Sequence, residues 1–225
     1  MKKTLLLLGL SLIFYKAQAQ ISSEDKLGTW YMYNGSHKVS EKFTLKTSFH
    51  VRYYEFITEY QQEIYRVGVN YAFNKKINLT LGSVYSIKDV SYKENLPDLY
   101  EYRLYQDLNM KDNWGHFKVK HRIRLAQRFR TQNFANKTTH RIRYGLFLKY
   151  PLSKKLTTYC FNEIFIKFAK KSFGENRTGF GFLQKMSEQL QIKLGYMYTQ
   201  FNNTKSHRLQ LGVILNTNHH TKQTL

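Results

Sequence analysis

Arginines and a smaller number of carboxylates recur at every second position along several segments of the chain. In an extended strand, alternate side chains face the same side, so these charges share one face. Arginine binds carboxylates and phosphates through two parallel hydrogen bonds. The pattern therefore predicts a charge network with an affinity for anions. Its candidate members are Glu101, Arg103, Arg122, Arg124, Arg128, Arg141, Arg143, Glu163 and Arg177.

Hairpin turns near residues 112–113 and near residue 152 predict which of these side chains face each other. The predicted cross-strand pairs are Glu101 with Arg124, Arg103 with Arg122, Asp107 with Lys118, and Glu163 with Arg141. The arginines that this register leaves without an acidic partner are Arg122, Arg128, Arg130 and Arg143. An unpaired charge in a dry interior costs several kcal/mol, so the network must hold water, counter-ions or an anionic ligand.

Two interpretations of the network remain open. It could be a structural charge ladder that fills a narrow barrel together with bound water. It could instead favour small anions, either as a narrow anion-permeable pore or as a site for phosphate or carboxylate. A barrel of about ten strands has a lumen that side chains largely fill, so a wide pore is not expected.

Catalytic and metal-binding patterns are weak. A membrane-embedded lipid hydrolase would need a nucleophile beside a histidine, and the neighbouring pairs are Ser36-His37, Ser48 with His50, and Ser206-His207. His219-His220 and the single Cys160 do not form a zinc-ligand set, and no phosphate loop or dinucleotide motif occurs. We expect no catalytic residue, metal or cofactor, and keep the lipid-modifying hydrolase as an alternative.

The elements that must position these charges alternate between apolar and polar residues. In Lys42–Tyr54, Phe43, Leu45 and Phe49 fall on one face, while Lys46 and Arg52 fall on the other. This period of two predicts β-strands and repeats to about residue 216. Asn162 and Glu163 place polar residues on both faces of one segment, which would suit a bulge.

Short connections alternate with longer ones, the latter near residues 54–60, 88–98, 131–138 and 169–175. This alternation is typical of outer-membrane barrels, whose strands usually number an even total. The spacing predicts an all-β, antiparallel up-and-down transmembrane barrel of about ten strands over residues 42–216, with twelve as the alternative. Gly28–Tyr33 is either a further strand or a segment lying across one end.

The composition of the polar face indicates that it lines the lumen. Glycines such as Gly68, Gly82 and Gly195 share this face with arginines, which suits a crowded interior where long side chains cross over short ones. Tyrosines at the ends of the apolar stripes suit the aromatic girdles of membrane barrels. The apolar face should then contact outer-membrane lipid. The alternative is a secreted lipocalin-like binding barrel with an apolar cavity.

The N-terminus carries the signature of a secretory signal peptide over residues 1–19: Lys2 and Lys3, an apolar run, and Ala17-Gln18-Ala19. Residues 20–217 form one predicted barrel domain, and residues 218–225 a polar tail. The formal net charge of +21 would suit a nucleic-acid partner, but export argues against one. A mean hydropathy of -0.55 excludes a bundle of membrane-spanning helices. The sequence predicts no oligomeric state.

Several segments resemble a family known as domain of unknown function number 2490. The matching pieces are GTWYMYNG, EYRLYQDL, HRIRLAQRF, RIRYGLFL, NEIF and Asn176-Arg177, in this order over residues 28–215. The resemblance implies an outer-membrane β-barrel of the kind common in Gram-negative bacteria of the Bacteroidetes type. It implies no established activity.

Overall fold

The computed structural model describes residues 26–92, 96–169 and 172–220. The predicted signal peptide and the last residues of the predicted tail lie outside these ranges. Within them the chain forms eleven strands. No helix in the described ranges is long and apolar enough to cross a bilayer. The strands are β1 (Leu27–Lys38), β2 (Phe43–Tyr53), β3 (Tyr60–Ala72), β4 (Ile77–Lys88), β5 (Leu99–Trp114), β6 (Phe117–Gln132), β7 (Ala135–Pro151), β8 (Leu156–Lys167), β9 (Phe173–Lys185), β10 (Leu190–Gln200) and β11 (Lys205–Asn218).

The strands close into a single barrel in which each strand pairs antiparallel with the next along the chain. Closure comes from β1 and β11, which pair in parallel from Leu27 with His207 to Lys38 with Asn218. The count of eleven in the described ranges lies between the predicted ten and twelve, but it is odd rather than even. Gly28–Tyr33 lies inside β1 and is a barrel strand, and the odd total places the start of β1 and the end of β11 at opposite ends of the barrel.

Four of the short connections share one hydrogen-bonding device. Each has Ser or Asn at its second residue, whose side-chain oxygen accepts a backbone N–H at the start of the next strand. Asn74 accepts from Ile77 at 2.8 Å, and Ser153 accepts from Leu156 at 3.0 Å. The same device is found at Ser40 and Ser187. These turns all lie at one end of the barrel, which we call the short-turn end.

Two connections differ from their predicted positions. Strands β6 and β7 continue to a two-residue turn, Asn133-Phe134, so residues 131–138 do not form the predicted long loop. Both turn residues have positive φ, 46° and 61°, as a tight type I′ hairpin turn requires. At the other end, β5 and β6 meet at Gly115-His116 rather than at residues 112–113, and Gly115 has φ 57°.

The two faces of the sheet are sorted as the alternation predicts. Large apolar residues point outward, including Val67, Leu81 and Leu194, which are 47%, 55% and 52% exposed. Charged and polar residues such as Arg124 and Glu163 are buried inside the barrel. The outward apolar residues distinguish this barrel from a lipocalin-like one, whose outer surface would be polar.

Inward glycines make room for aromatic rings from neighbouring strands. A Cβ on Gly68 or Gly82 would lie 2.6 Å from the hydroxyl oxygen of Tyr105, and one on Gly179 would lie 2.5 Å from the Phe161 ring. A Cβ on Gly181 would lie 2.8 Å from the Tyr159 hydroxyl. The side chains that cross the glycines are therefore mainly aromatic, whereas the sequence pattern pointed to arginines.

Candidate lumen site

Asp107 and Arg124 form a two-pronged ion pair on neighbouring strands. The Nε and Nη2 atoms of Arg124 donate to the two carboxylate oxygens of Asp107. The two side chains are 8% and 5% exposed. The predicted partner of Asp107 was Lys118, which is wrong because the turn lies at Gly115-His116. Asp107 therefore faces Arg124 in the register of β5 and β6.

Glu101 is shared by two arginines. Arg103, two residues along on β5, donates from Nε at 2.8 Å, and Arg128 on β6 donates from Nε to the other oxygen at 3.0 Å. Glu101 faces Arg130 rather than Arg124 in the strand register, and Arg103 faces Arg128 rather than Arg122. The same turn position explains both corrections.

Glu163 and Glu175 hold the remaining arginines of the network. The Oε1 atom of Glu163 accepts a hydrogen bond from Arg122 Nη2 and lies 3.6 Å from Arg143 Nη1. The Oε1 atom of Glu175 lies 2.9 Å from Arg177 Nη2 and 3.6 Å from Arg141 Nη1. Arg141 is thus paired with Glu175 and not with Glu163, which faces Gly145 across the β7–β8 pair.

The arginines predicted to lack partners are also held. Arg122 and Arg143 contact Glu163, Arg128 contacts Glu101, and Arg130 donates to the hydroxyl of Thr139 at 2.9 Å. The sequence prediction left out Glu175 because it began that strand at residue 176. The spacing of two from Arg177 is the signal that could have found it.

Phe165 supports three of these guanidinium groups. Its side chain is 0% exposed, and the guanidinium carbons of Arg143, Arg177 and Arg141 lie 4.0, 4.6 and 4.7 Å from its ring centre. Cations over an aromatic face are attracted by the negative charge of the π system.

Asn162 and Glu163 pair with β9 in a regular register, so the bulge predicted at these residues is absent. The register of β8 and β9 shifts instead between Phe165 and Ile166, opposite Phe173–Glu175. We call the charged inner surface of β5, β6 and β7, with Glu163, the arginine–carboxylate wall.

A second inner surface is apolar and lies on β1 and β8–β11. Its buried members are Trp30, Met32, Tyr159, Phe161, Leu183 and Met197, with Phe147 and Ile214 packed against them. The rings of Tyr159 and Phe161 stack at 6.4 Å with an interplanar angle of 17°. We call this surface the aromatic wall.

Between the two walls lies a cavity of about 670 Å³. Among the described residues that line it, Glu163 and Glu175 are the carboxylates, against a larger number of cations: Arg52, Arg66, Lys88, Arg103, Arg122, Arg124, Arg128, Arg141, Arg143, Lys149, Lys167, Arg177, Lys193 and Arg208. Arg52 and Arg66 donate to the neutral side chains of Gln62 and Ser48, at 3.0 and 3.3 Å. The cavity therefore carries a positive excess that its own carboxylates do not balance.

Tyr54 reaches the same cavity from the connection between β2 and β3. It is 6% exposed, and its hydroxyl donates to the backbone carbonyl of Asp89 at 2.9 Å. Burial raises the pKa of this phenol, which keeps the hydroxyl protonated as a donor. The contact ties two of the longer connections together at the end of the barrel opposite the short-turn end.

Comparison with known proteins agrees with this architecture. The family model described as "Protein of unknown function (DUF2490)" matches residues 27–210. The chain belongs to the DUF2490 family. A search of curated proteins finds no match.

Among solved structures, the DUF2490 barrel is similar to one titled "NanC porin structure in rhombohedral crystal form". The TM-score is 0.55 at 13% sequence identity, over 84% of this chain and 98% of the other. At this identity the likeness concerns the fold alone.

The nine residues proposed for the charge network all lie inside the barrel, but they form three groups and one separate pair rather than a single cluster. Each group centres on a carboxylate: Glu101, Glu163 and Glu175, with Asp107–Arg124 as a separate pair. The network therefore divides the lumen wall into ion-pair clusters. It does not converge on a single point.

The serine–histidine pairs of the DUF2490 barrel are not arranged for nucleophilic catalysis. Ser48 accepts a hydrogen bond from Arg66, and His50 bonds to Asn34 at 3.1 Å. Ser206 is buried, whereas His207 is bonded to Tyr196 on the other face. Ser36 accepts from Lys46 at 2.6 Å, and His37 bonds to Thr217 at 2.9 Å on the opposite face.

The C-terminal histidines also have other partners. His219 bonds to Thr217 at 2.8 Å, and His220 lies 4.0 Å from Glu41. The described residues contain no cluster of three or more potential metal ligands.

Proposed function

We propose that this protein is an integral outer-membrane β-barrel. The support is the outward apolar surface, which includes Val69, Leu104 and Phe180 at 50%, 41% and 58% exposure. A soluble protein rarely exposes a continuous apolar belt of this kind. The porin-like fold and the predicted signal peptide point to the same compartment.

A lipid-facing charge tests membrane insertion. Leu194 points outward on β10 and is 52% exposed. A Leu194→Lys substitution should lower the free energy of unfolding from lipid by about 2–4 kcal/mol if it lies near the bilayer centre. The measurement is denaturant unfolding from liposomes, with heat-modifiable gel mobility as the sign of folding. Wild-type protein that stays in the soluble fraction without detergent would contradict the proposal.

We further propose that the lumen binds and passes small anions. The observation that carries this proposal is the cavity of about 670 Å³, where arginines and lysines outnumber the carboxylates Glu163 and Glu175. Cations held in a low-dielectric wall attract anions and repel other cations. Small anions that enter would offset the charge that the protein leaves unbalanced.

Reversal potentials across a planar bilayer, measured in a KCl gradient, test the selectivity. We expect the sign of the reversal potential to show that chloride is more permeant than potassium. Arg66→Gln should move the potential towards zero, because Arg66 lines the cavity and its hydrogen-bonding partner is the neutral Ser48. Leu125→Ile on the lipid-facing side is the matched control and should leave the potential unchanged. A cation-selective potential would overturn the selectivity, and a silent bilayer would overturn conduction.

A further inference from the structure

Two arginines lie close to the ring of Trp30 where the aromatic wall meets the cavity. The side chain of Trp30 is buried, with 8% of its surface exposed. The guanidinium carbon of Arg52 lies 3.6 Å from the ring centre, and that of Arg177 lies 5.1 Å from it. Trp30 and Arg52 face each other across β1 and β2. All three residues line the cavity near the strand ends that meet the longer loops.

Each of these side chains has a buried N–H without an acceptor. In the described part of the chain, Trp30 Nε1, Arg52 Nε and Arg177 Nε have no hydrogen-bond partner. The arginines use other nitrogens for their protein contacts, Arg52 Nη1 with Gln62 and Arg177 Nη2 with Glu175. Buried donors are nearly always satisfied in native proteins. Three such donors together call for an acceptor from outside the chain, and a carboxylate supplies two oxygens with the complementary charge.

The other side of the same space is apolar. Met32, Leu183 and Met197 are 8%, 6% and 1% exposed, and they form one cluster with Trp30. Methionine adapts its shape to varied apolar groups. A bare inorganic anion would make no use of this surface, whereas the hydrocarbon part of a larger anion would be removed from water against it.

We propose that Trp30, Arg52 and Arg177 form a binding site for organic monocarboxylates with an apolar body, such as an alicyclic or short aliphatic acid. The carboxylate would accept hydrogen bonds from the orphan donors, and the hydrocarbon would contact the methionines and Leu183. This site rests on the proposed anion-accepting lumen and names the class of anion that it holds best. The apolar surface distinguishes this site from the arginine–carboxylate wall, where Arg122 and Arg143 also have an Nε without an acceptor but are both held by Glu163.

Tryptophan fluorescence can report on this site directly. The chain has two tryptophans, and Trp114, which is 55% exposed, is the last residue of β5 and is not among the residues that line the cavity. In Trp114→Phe protein purified in detergent, emission reports Trp30 alone. The main probe is sodium cyclohexanecarboxylate. Sodium acetate has the carboxylate but only a methyl group, and cyclohexanecarboxamide has the ring but no charge. We expect a saturable change with cyclohexanecarboxylate at a half-saturating concentration at least ten-fold below that for acetate, and no saturable change with the amide.

Substitutions in the Trp114→Phe background assign the response to the two arginines. Arg52→Gln and Arg177→Gln should each raise the half-saturating concentration at least five-fold. Arg130→Gln is the matched control, because Arg130 also faces inward but lies outside the cavity lining. Heat-modifiable gel mobility shows whether each variant is folded. Arg177→Gln leaves Glu175 without this arginine and could unfold the barrel, whereas Arg52→Gln removes no ion pair among the described residues and therefore decides the test in that case.

The outcomes separate this proposal from anion selectivity itself. Equal responses to acetate or to the amide, or unchanged half-saturation in Arg52→Gln, would overturn the organic-anion site and indicate water at the orphan donors. The KCl reversal potential does not depend on cyclohexanecarboxylate binding. An anion-selective bilayer without a Trp30 response would therefore refute the site alone, and a saturable Trp30 response with a silent bilayer would refute conduction alone.

Discussion

The two walls of the lumen fill similar space by different means. The arginine–carboxylate wall on β5–β7 is built from opposite charges such as Asp107 and Arg124, whose side chains are 8% and 5% exposed. The aromatic wall on β1 and β8–β11 is built from shape, with the ring of Tyr159 lying over Gly181 and Gly195. In the arginine–carboxylate wall each long side chain needs an ion-pair or hydrogen-bond partner. In the aromatic wall each ring needs neighbouring residues, such as glycine, that leave room for it.

The difference has consequences for stability. A buried charge that loses its partner keeps the full cost of its desolvation. An aromatic ring that loses a contact loses only dispersion and apolar burial. We therefore expect similarly small atomic changes to have unequal effects on the two walls.

Asp107→Asn should produce the largest effect. The substitution keeps the shape of the side chain but removes the charge opposite Arg124, which remains buried. Breaking a buried pair in this way costs about 3–5 kcal/mol. The free energy of unfolding from lipid, followed by guanidinium titration, measures the loss.

Two controls show whether the loss is specific to the buried ion pair. Tyr159→Phe removes one hydroxyl group from the aromatic wall, and that hydroxyl has no partner among the described residues. Its effect should be within about 0.5 kcal/mol of zero. Asp112→Asn breaks an exposed pair with Lys76 at 3.2 Å and should produce no measurable change. Equal losses for Asp107→Asn and Tyr159→Phe would show that the walls do not differ in the way we describe.

Gly195→Ala tests the shape of the aromatic wall. A Cβ at this position would overlap the Tyr159 hydroxyl and lie 2.9 Å from the carbonyl oxygen of Phe180. Overpacking of this kind costs about 1–3 kcal/mol. Gly212→Ala is the matched control, because its nearest neighbour, the carbonyl oxygen of Met32, lies 3.1 Å away.

The Tyr159→Phe background sharpens this test. Removal of the hydroxyl takes away the atom that the new Cβ would meet first, while the contact with Phe180 remains. The cost of Gly195→Ala should therefore fall by about 0.5–1 kcal/mol in that background, the size of coupling expected between touching residues. Additive effects would mean that the ring does not lie over the glycine.

The two walls also differ in how far the sequence predicts them. Charged residues such as Arg122, Arg124 and Arg143 cannot face lipid at low cost, so their alternation places them in the lumen without any knowledge of the turns. Their partners depend on the register, and the register depends on where Gly115 takes a positive φ. A turn misplaced by a few residues therefore leaves the faces correct and makes the pairs wrong.

The aromatic wall is hard to predict for a different reason. Tyrosine and phenylalanine suit either the lipid face or the lumen, so their type does not decide the side. Tyr159 and Phe161 point inward in the company of Glu163, which has the same parity. Asn162, on the opposite face, obscured that parity. Trp30 was also missed as a lumen residue, because closure through the parallel β1–β11 pair depends on contacts distant in sequence.

Phe147 joins the two walls, and its substitution should have a smaller effect than those at Asp107 and Gly195. Lys120 Nζ lies 4.2 Å from its ring centre on the charged side, and the ring of Phe161 stacks on it at 5.8 Å on the aromatic side. Phe147→Leu keeps most of the apolar volume but removes the aromatic face. The expected loss is about 1 kcal/mol, from a cation–π contact of about 0.5–1 kcal/mol and part of an aromatic pair.

Double-mutant cycles divide this loss between the two sides. One cycle combines Phe147→Leu with Lys120→Gln, and the other combines it with Phe161→Leu; unfolding from lipid is measured for each single and double variant. If Phe147 links the walls, both cycles give a coupling of about 0.5 kcal/mol or more. Coupling to Phe161 alone would assign Phe147 to the aromatic wall, and the boundary between the two walls would then lie between Phe147 and Lys120.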